Sequence, residues 1–107
     1  MYSLIMKISF HGKLNKTLNN ESSIKKNYGN LANKICIRLS LLEVAEKLSD
    51  IPDVPPTRRH KLKGRFEGCW AIDIEKNWRL VLKPDKSSET EVNEITEITI
   101  IDIVDYH

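Results

Sequence analysis

The last three residues of the chain, Asp105-Tyr106-His107, carry side chains that can each give, take or orient a proton. They follow an apolar, strand-like run from Ile98 to Val104, where a strand would leave the core and meet solvent. A second segment, Arg58-Arg59-His60-Lys61-Leu62-Lys63-Gly64-Arg65, is dense in cations that could bind phosphate. Acid and base groups together with a phosphate-binding patch are what RNA cleavage without a metal ion requires.

The charge distribution is uneven along the chain. Residues 1–83 contain 16 Lys+Arg and 8 Asp+Glu, a net charge of +8, whereas residues 84–107 contain Lys86 against 7 acidic groups, a net charge of −6. Such asymmetry indicates a polyanionic partner for the basic part. A solvated surface with internal ion pairs would explain the same distribution.

Length and composition predict one domain over residues 1–107, with 40% hydrophobic and 30% charged residues, as in ordinary soluble globular proteins. No apolar run approaches the roughly 20 residues of a membrane span, and the Leu4–Met6 cluster is too short for a signal peptide. Cys36 and Cys69 are isolated, so we expect buried thiols rather than a disulfide or metal framework. A cytoplasmic protein without membrane contact is expected.

The first half of the chain predicts a strand followed by helices. The apolar-rich residues 4–10 indicate a first strand, and the polar stretch 13–28 favours one or two short helices. The clearest helix has apolar residues at steps of three and four, namely Leu31, Ile35, Leu39, Leu42 and Ala45. Lys34, Arg38 and Glu46 fall away from that stripe, so we expect this helix to pack its apolar face on a sheet.

The second half predicts strands. Alternation with a period of two marks residues 69–75 and 78–83 as half-buried strands joined by a tight turn at Glu75-Lys76-Asn77. Residues 84–90 read as a loop, and residues 92–104 as a long final strand. The expected fold is α/β (α+β), with an N-terminal strand and helices packed on one face of a twisted, mainly antiparallel sheet.

Strand alternation also predicts which side chains share a face. Arg79 and Lys83 lie opposite the apolar stripe of the strand 78–83, so both should occupy the face of the sheet that the helices leave open. If the final strand stays extended, Asp105 and His107 point one way and Tyr106 the other. Which of them joins Arg79 depends on strand register, which the sequence leaves open.

Several spaced motifs carry a resemblance to a known family. Pro55-Pro56-x-Arg58-x-His60-x-Leu62-Lys63-Gly64, Gly68-x-Trp70-x-Ile72, Asn77-Trp78-Arg79-Leu80 and Val104-Asp105-Tyr106-His107 together resemble the HigB-type toxins of the RelE/ParE superfamily. The similarity is good from about residue 31 onward and weaker before it. It implies a RelE-like fold and a ribosome-dependent endoribonuclease that cuts mRNA on the 70S ribosome. It also implies neutralisation by a helix-turn-helix antitoxin of the HigA type, within a type II toxin–antitoxin module.

The resemblance further implies cleavage by the ribose 2′-hydroxyl, without metal or cofactor, and assigns roles to residues. His107 would act as base or acid, Tyr106 would support proton transfer or stack on a base, and Asp105 would orient a neighbour. Arg79 would stabilise phosphate charge. The expected RNA-binding residues are basic or aromatic, namely Arg58, Arg59, Lys61, Lys63, Arg65, Trp70 and Lys83.

Trp70 departs from the family pattern, because some HigB enzymes have a second catalytic histidine at this position. Tryptophan cannot exchange protons, but it can stack on a nucleobase or fill the core beside Ile72 and Ile74, and its alternation favours the core. The departure makes His60 a candidate substitute in catalysis, with the alternative that His60 is simply part of the basic patch.

Two other functions remain compatible with the sequence. A ParE-type toxin shares the fold but inhibits DNA gyrase, and such a binder has no need of the proton-transfer groups at residues 105–107. A non-catalytic module that binds RNA or antitoxin and acts as a co-repressor stays open because of Trp70. A terminal histidine is also often just an exposed chain end.

Overall fold

The computed structural model describes residues 5–86 and 91–105, which form a five-stranded sheet with helices against one face. The strands are β1 Lys7–Phe10, β2 His60–Lys61, β3 Trp70–Glu75, β4 Trp78–Pro84 and β5 Glu97–Asp105. The helices are α1 Leu14–Thr17, α2 Glu21–Tyr28 and α3 Ala32–Val44. Short 3-10 turns occupy Gly29–Leu31, Leu48–Asp50, Gly64–Phe66 and Val92–Glu94.

The sheet has the strand order β1-β5-β4-β3-β2. β1 runs parallel to β5, whereas the pairs β5–β4, β4–β3 and β3–β2 are antiparallel. The predicted mixed fold with a mainly antiparallel sheet is therefore confirmed. Residues 76 and 77 form the turn between β3 and β4, as the sequence predicted.

The core lies between the helices and one face of the sheet. From α3 it receives Ile35, Leu39 and Leu42, which confirms these three positions of the predicted stripe, whereas Leu31 and Ala45 lie just outside the helix. From the sheet it receives six fully buried side chains, namely Ile72, Ile74, Leu80, Leu82, Ile98 and Ile100. These residues alternate along their strands, so hydrophobic burial sets which face of the sheet is covered by helices.

The final strand is shorter than predicted. It begins at Glu97 rather than Val92, because residues 92–94 form a 3-10 turn and the carbonyl of Ile95 accepts from the Leu48 amide at 2.9 Å. β1 begins at Lys7 rather than at residue 4 as predicted. The Met6 amide donates to the Ala45 carbonyl at 2.7 Å instead of joining the sheet. Leu4 lies outside the described residues. β2 was not predicted from the sequence, since two residues carry no periodicity.

A bulge in β5 changes which of its side chains face the core. Val81 pairs with Asp102 but Leu82 pairs with Ile100, so Ile101 is an extra residue on β5. Ile98 and Ile100 face the core before the bulge. Ile103 pairs with core-facing Leu80 after it. Simple alternation along the sequence therefore gives the wrong face for one end of this strand.

The prediction that Arg38 points away from the core is wrong. Its side chain is buried, and its Nε donates to the Asp73 carbonyl at 2.7 Å while a terminal nitrogen donates to the Ile74 carbonyl at 3.2 Å. The register of β3 with β4 shifts between Asp73 and Glu75. The guanidinium therefore binds carbonyl groups at a strand irregularity, where regular ladder bonding is interrupted.

Candidate functional site

The register of four strands aligns polar side chains on the face of the sheet opposite the helices. One row consists of His60, Ala71, Val81 and Asp102, and the next consists of Asp73, Arg79 and Val104. Ala71 and Val81 are fully buried and form an apolar floor between the polar residues. The prediction that Arg79 lies on the face opposite the core is confirmed by its pairing with Asp73 and Val104.

Two arginines share one carboxylate on this face, and we call Arg58, Asp73 and Arg79 the arginine clamp. Arg58 contacts both oxygens of Asp73, with Nε 2.7 Å from Oδ2 and a terminal nitrogen 3.2 Å from Oδ1. The Nε of Arg79 donates to Oδ1 of Asp73 at 3.1 Å. Two cations and one anion give the clamp a net positive charge. Bidentate contacts of this kind fix guanidinium orientation as well as charge.

The loop before β2 places Arg58 within reach of Asp73. Arg58 has a φ of 43°, a left-handed conformation that is uncommon for residues other than glycine. Backbone hydrogen bonds hold this conformation on both sides, from the Arg58 amide to the Val54 carbonyl at 2.9 Å and from the Asp73 amide to the Thr57 carbonyl at 2.8 Å. These hydrogen bonds hold the loop against β3 next to the clamp. The left-handed backbone at Arg58 directs its side chain toward Asp73.

His60 is half-buried and lies beside the clamp in sequence and in space. Its Nδ1 is 2.6 Å from the Arg58 carbonyl oxygen, which can only accept a hydrogen bond. Nδ1 therefore carries a proton and donates it to that carbonyl, which leaves Nε2 as the ring nitrogen not engaged in this contact. This geometry suits a general acid or base, but it equally suits a histidine that merely anchors the loop.

A cleft of about 340 Å³ lies beside the clamp, at the end of β5. It is lined by Lys63, Arg65, Phe66, Val104 and Asp105. Lys63 and Arg65 are exposed and flank Gly64, whose φ of 69° allows the chain to turn here. The cleft therefore joins two flexible cations to the strand end that precedes Tyr106 and His107.

Arg65 makes two contacts at the edge of this cleft. Its guanidinium lies 4.5 Å from the ring centroid of Phe66, and a terminal nitrogen is 3.7 Å from Oδ2 of Asp102. Three quarters of the Arg65 side chain is exposed, so the ion pair is weak and salt-sensitive. An incoming phosphate could therefore compete with Asp102 for this cation.

Trp70 lies on the core side of the sheet, with 8% of its surface exposed. Two cations lie against its ring, Arg59 at 5.4 Å and Lys61 at 5.5 Å from the ring centroid. Arg59 also donates through Nε to the Ile51 carbonyl at 2.8 Å. Strand alternation thus divides the basic segment, with His60 on the face of the clamp and Lys61 beside Trp70 at the sheet edge. Trp70 has little surface on which a base could stack.

Lys83 is exposed on β4, and its charge acts on a neighbouring thiol. Burial raises the pKa of the Cys69 thiol above its ordinary value, while the positive charge of Lys83 lowers it in part. Cys69 is buried as predicted, whereas Cys36 is only half-buried. The two cysteines are not joined by a disulfide.

The strand that leads to the predicted catalytic residues is described as far as Asp105. Asp105 is exposed, pairs across the sheet with Trp78 and lines the cleft. Tyr106 and His107 lie outside the described residues. Of the other predicted site residues, Lys63, Arg65 and Asp105 meet at the cleft, Arg58, His60 and Arg79 lie at or beside the clamp, and Arg59, Lys61 and Trp70 form the separate edge cluster.

Sequence reasoning missed Asp73, Asp102 and Phe66 as members of this surface. A two-residue turn at residues 76–77 would place residue 74 opposite residue 79, and it is the register shift between Asp73 and Glu75 that brings Asp73 opposite Arg79, so the turn alone could not have predicted this pair. Asp102 could not have been placed, because the β5 bulge reverses its side.

Within residues 5–86 and 91–105, no group of three or more His, Cys, Asp or Glu side chains could hold a metal ion. In the same ranges, no helix is long and apolar enough to cross a membrane.

Comparison with known proteins agrees with the fold and the motifs. Residues 9–107 match the model of a family described as RelE-like toxins of the type II toxin–antitoxin system HigB. The fold and this match define a toxin of the RelE superfamily. Because the match spans nearly the whole sequence, the chain belongs to the HigB-like toxin family. The resemblance in the sequence motifs is thereby confirmed.

Solved structures share the fold at low sequence identity. The toxin–antitoxin complex DinJ–YafQ of E. coli matches with a TM-score of 0.59 and 17% identity, covering 94% of this chain and 91% of that one. The YoeB–YefM complex of Staphylococcus aureus matches with a TM-score of 0.54 and 20% identity, covering 95% and 97%. The YoeB/ParE toxin of Agrobacterium tumefaciens gives 0.57 and 15%, covering 95% and 100%. A comparison with curated protein sequences finds no match.

Proposed function

We propose that this toxin is a ribosome-dependent endoribonuclease that cleaves mRNA by attack of a ribose 2′-hydroxyl on the adjacent phosphate. The observation that carries the proposal is the cleft at the end of β5. It is lined by Lys63, Arg65 and Asp105, and it adjoins the arginine clamp through Val104, which pairs with Arg79. Cations for a phosphate and the carboxylate of Asp105, the residue that precedes Tyr106 and His107 in the sequence, thus meet within one small surface.

The proposed reaction needs three chemical groups. A base removes the proton from the 2′-hydroxyl, and that oxygen forms a bond to phosphorus. The bond from phosphorus to the 5′-oxygen then breaks, and an acid protonates the leaving oxygen. The products are a 2′,3′-cyclic phosphate and a 5′-hydroxyl. Negative charge accumulates on the phosphate oxygens in the transition state, so oriented cations stabilise it more than they stabilise the substrate.

We assign His107 to base or acid work, Tyr106 to proton transfer or base stacking, and Asp105 to orienting a neighbour. Arg79 stabilises the phosphate, and His60 is the candidate for the second proton-transfer group because its Nδ1 is held by the Arg58 carbonyl and Nε2 is the ring nitrogen outside that contact. Arg58, Lys63 and Arg65 hold the RNA backbone near the reaction. Arg59, Lys61 and Lys83 contribute long-range attraction, and Trp70 contributes by holding Arg59 and Lys61 against its ring.

The partners proposed are the 70S ribosome with its mRNA in the cytoplasm and a helix-turn-helix antitoxin of the HigA type. Family membership in type II toxin–antitoxin systems supports an antitoxin partner, and two of the similar structures are toxin–antitoxin complexes. The basic segment supports a polyanionic target, since ribosome and mRNA both present dense phosphate charge.

The test is to express the protein briefly in bacteria and to map 5′ ends on a reporter mRNA with and without its start codon. We expect cuts only in the translated reporter, and we expect them to disappear in His107→Ala. His11→Ala is the matched control, because His11 is exposed, precedes the helices and belongs to neither the clamp nor the cleft. It should leave the cuts unchanged.

Other outcomes would point elsewhere. Growth arrest without cuts would refute the nuclease and favour a target such as DNA gyrase, on which a relaxation assay would then show inhibition. Absence of both arrest and cuts would favour a non-catalytic module that binds RNA or antitoxin. Cuts that persist in His107→Ala would keep the nuclease but remove His107 from its mechanism.

A further inference from the structure

Asp73 lies at the centre of the arginine clamp, where both oxygens of its carboxylate contact arginine side chains. Its carboxylate is the acceptor for both Arg58 and Arg79. We propose that Asp73 is a positioning residue that holds these two guanidinium groups side by side for the scissile phosphate. This inference rests on the proposed nuclease function and deepens it.

The contacts distribute the two arginines over the two carboxylate oxygens. Oδ2 accepts from Nε of Arg58, whereas Oδ1 accepts from a terminal nitrogen of Arg58 and from Nε of Arg79. Both arginines thus meet at Oδ1, at 3.2 Å and 3.1 Å. The shared acceptor sets the spacing of two guanidinium groups that would otherwise repel each other. Two guanidinium groups held at a fixed spacing can each donate hydrogen bonds to the same phosphate.

The backbone of Asp73 is itself held by hydrogen bonds through both its amide and its carbonyl. The Asp73 amide donates to Thr57, the residue before Arg58, at 2.8 Å. The Asp73 carbonyl accepts from the buried Nε of Arg38 at 2.7 Å. The side chain of Asp73 is 18% exposed and that of Arg79 is 19% exposed, so solvent screens their interaction less than at an open surface. Helix, loop and strand therefore fix the position from which Asp73 orients the arginines.

The inference predicts opposite changes in binding and in rate. Asp73→Asn removes a negative charge from the clamp, so electrostatic attraction for RNA should stay equal or increase. The same change removes the anion that aligns Arg58 and Arg79, so the chemical step should slow. Small misplacements of a catalytic group reduce rates by about ten- to a hundredfold. A role in folding alone would lower the fraction of active protein without separating rate from binding.

The experiment measures single-turnover cleavage of mRNA on programmed 70S ribosomes with excess purified toxin. It compares the rate at saturation and the half-saturating toxin concentration for the wild type, Asp73→Asn and Asp73→Glu. Glu75→Gln is the matched control, because Glu75 lies on the same strand and pairs with Lys34 at 3.8 Å, away from the clamp. Thermal unfolding of each variant establishes that it is folded at the assay temperature.

We expect Asp73→Asn to lower the saturating rate about ten- to a hundredfold with an unchanged or lower half-saturating concentration, while Glu75→Gln behaves as wild type. Asp73→Glu keeps the charge but displaces the guanidinium groups, so a folded variant should also cleave slowly. In an Arg79→Ala background, Asp73→Asn should add less than it does alone.

Each remaining outcome overturns the inference. Folded Asp73→Asn and Asp73→Glu that cleave at the wild-type saturating rate would show that Asp73 does not position the clamp. Loss of rate that follows only the loss of folded protein would assign Asp73 a structural role instead. A wild-type protein that binds the ribosome without cleaving mRNA would overturn the proposed function, and the positioning role with it.

Discussion

Arg38 offers the sharpest test of how the helix layer is joined to the sheet. Its buried guanidinium bonds to the carbonyl groups of Asp73 and Ile74 where the pairing of β3 with β4 shifts. We predict that Arg38→Met destabilises the protein by removing both donors while filling most of the same volume. Methionine is chosen because it is flexible and adapts to irregular core space.

The magnitude follows from the two contacts. A buried carbonyl left without a donor costs about 1–3 kcal/mol, so the loss of both contacts would cost about 2–6 kcal/mol. Methionine removes the cost of burying a charge, which offsets part of that loss. We therefore expect the free energy of unfolding to fall by about 2–3 kcal/mol.

Urea unfolding followed by circular dichroism measures this difference, with the midpoint and slope compared between variants. Lys34→Met is the control on the same helix, because Lys34 is half-exposed and contacts Glu75 at 3.8 Å. An exposed ion pair of this kind contributes about 0–1 kcal/mol. If Arg38→Met lowered the free energy of unfolding no more than Lys34→Met, the two carbonyl contacts would not be stabilising and the reasoning would be wrong.

Two further predictions concern the thiol and the cleft. Because burial raises the pKa of Cys69, its alkylation by iodoacetamide should still accelerate as the pH rises past about 9, and Lys83→Gln should slow it at fixed pH by raising that pKa further. Peptide mass spectrometry measures the rate, Lys86→Gln is the control, and faster alkylation in Lys83→Gln would contradict the sign. Lys63→Ala should weaken binding of a 2′-O-methyl RNA oligonucleotide and reduce its log–log salt slope by about 0.7, whereas Lys26→Ala on α2 should not. Equal slopes for the two variants would remove Lys63 from the RNA contacts.

Much of the fold could be predicted because its signals are local. The stripe at Ile35, Leu39 and Leu42 specifies α3 and its buried face, and alternation specifies most of β3 and β4. The beginning of β5 could not be placed, since residues 92–94 lie next to the apolar strand run but form a 3-10 turn of their own. Such a choice depends on which backbone groups find partners in three dimensions.

The candidate site could be predicted in composition but not in arrangement. The basic segment and the terminal Asp105-Tyr106-His107 are each continuous stretches of the sequence, so their chemistry can be predicted from residue types alone. The division of that segment between the clamp face and the Trp70 edge follows from the pairing of His60 with Ala71 and Lys61 with Trp70. A two-residue strand has too little periodicity to reveal this pairing.

The helix and strand pattern, the cationic segment and the family can be inferred from the order of residues, because each of these depends on residues close together in the chain or on their spacing. Three other features arise only in the folded sheet, namely the inward position of Arg38, the place of Asp102 on the open face after the β5 bulge, and the contacts of Asp73 with Arg58 and Arg79. Those contacts join segments separated along the chain, and their geometry depends on strand register. A one-residue shift in register reverses every side chain, so only the assembled sheet specifies which charges meet.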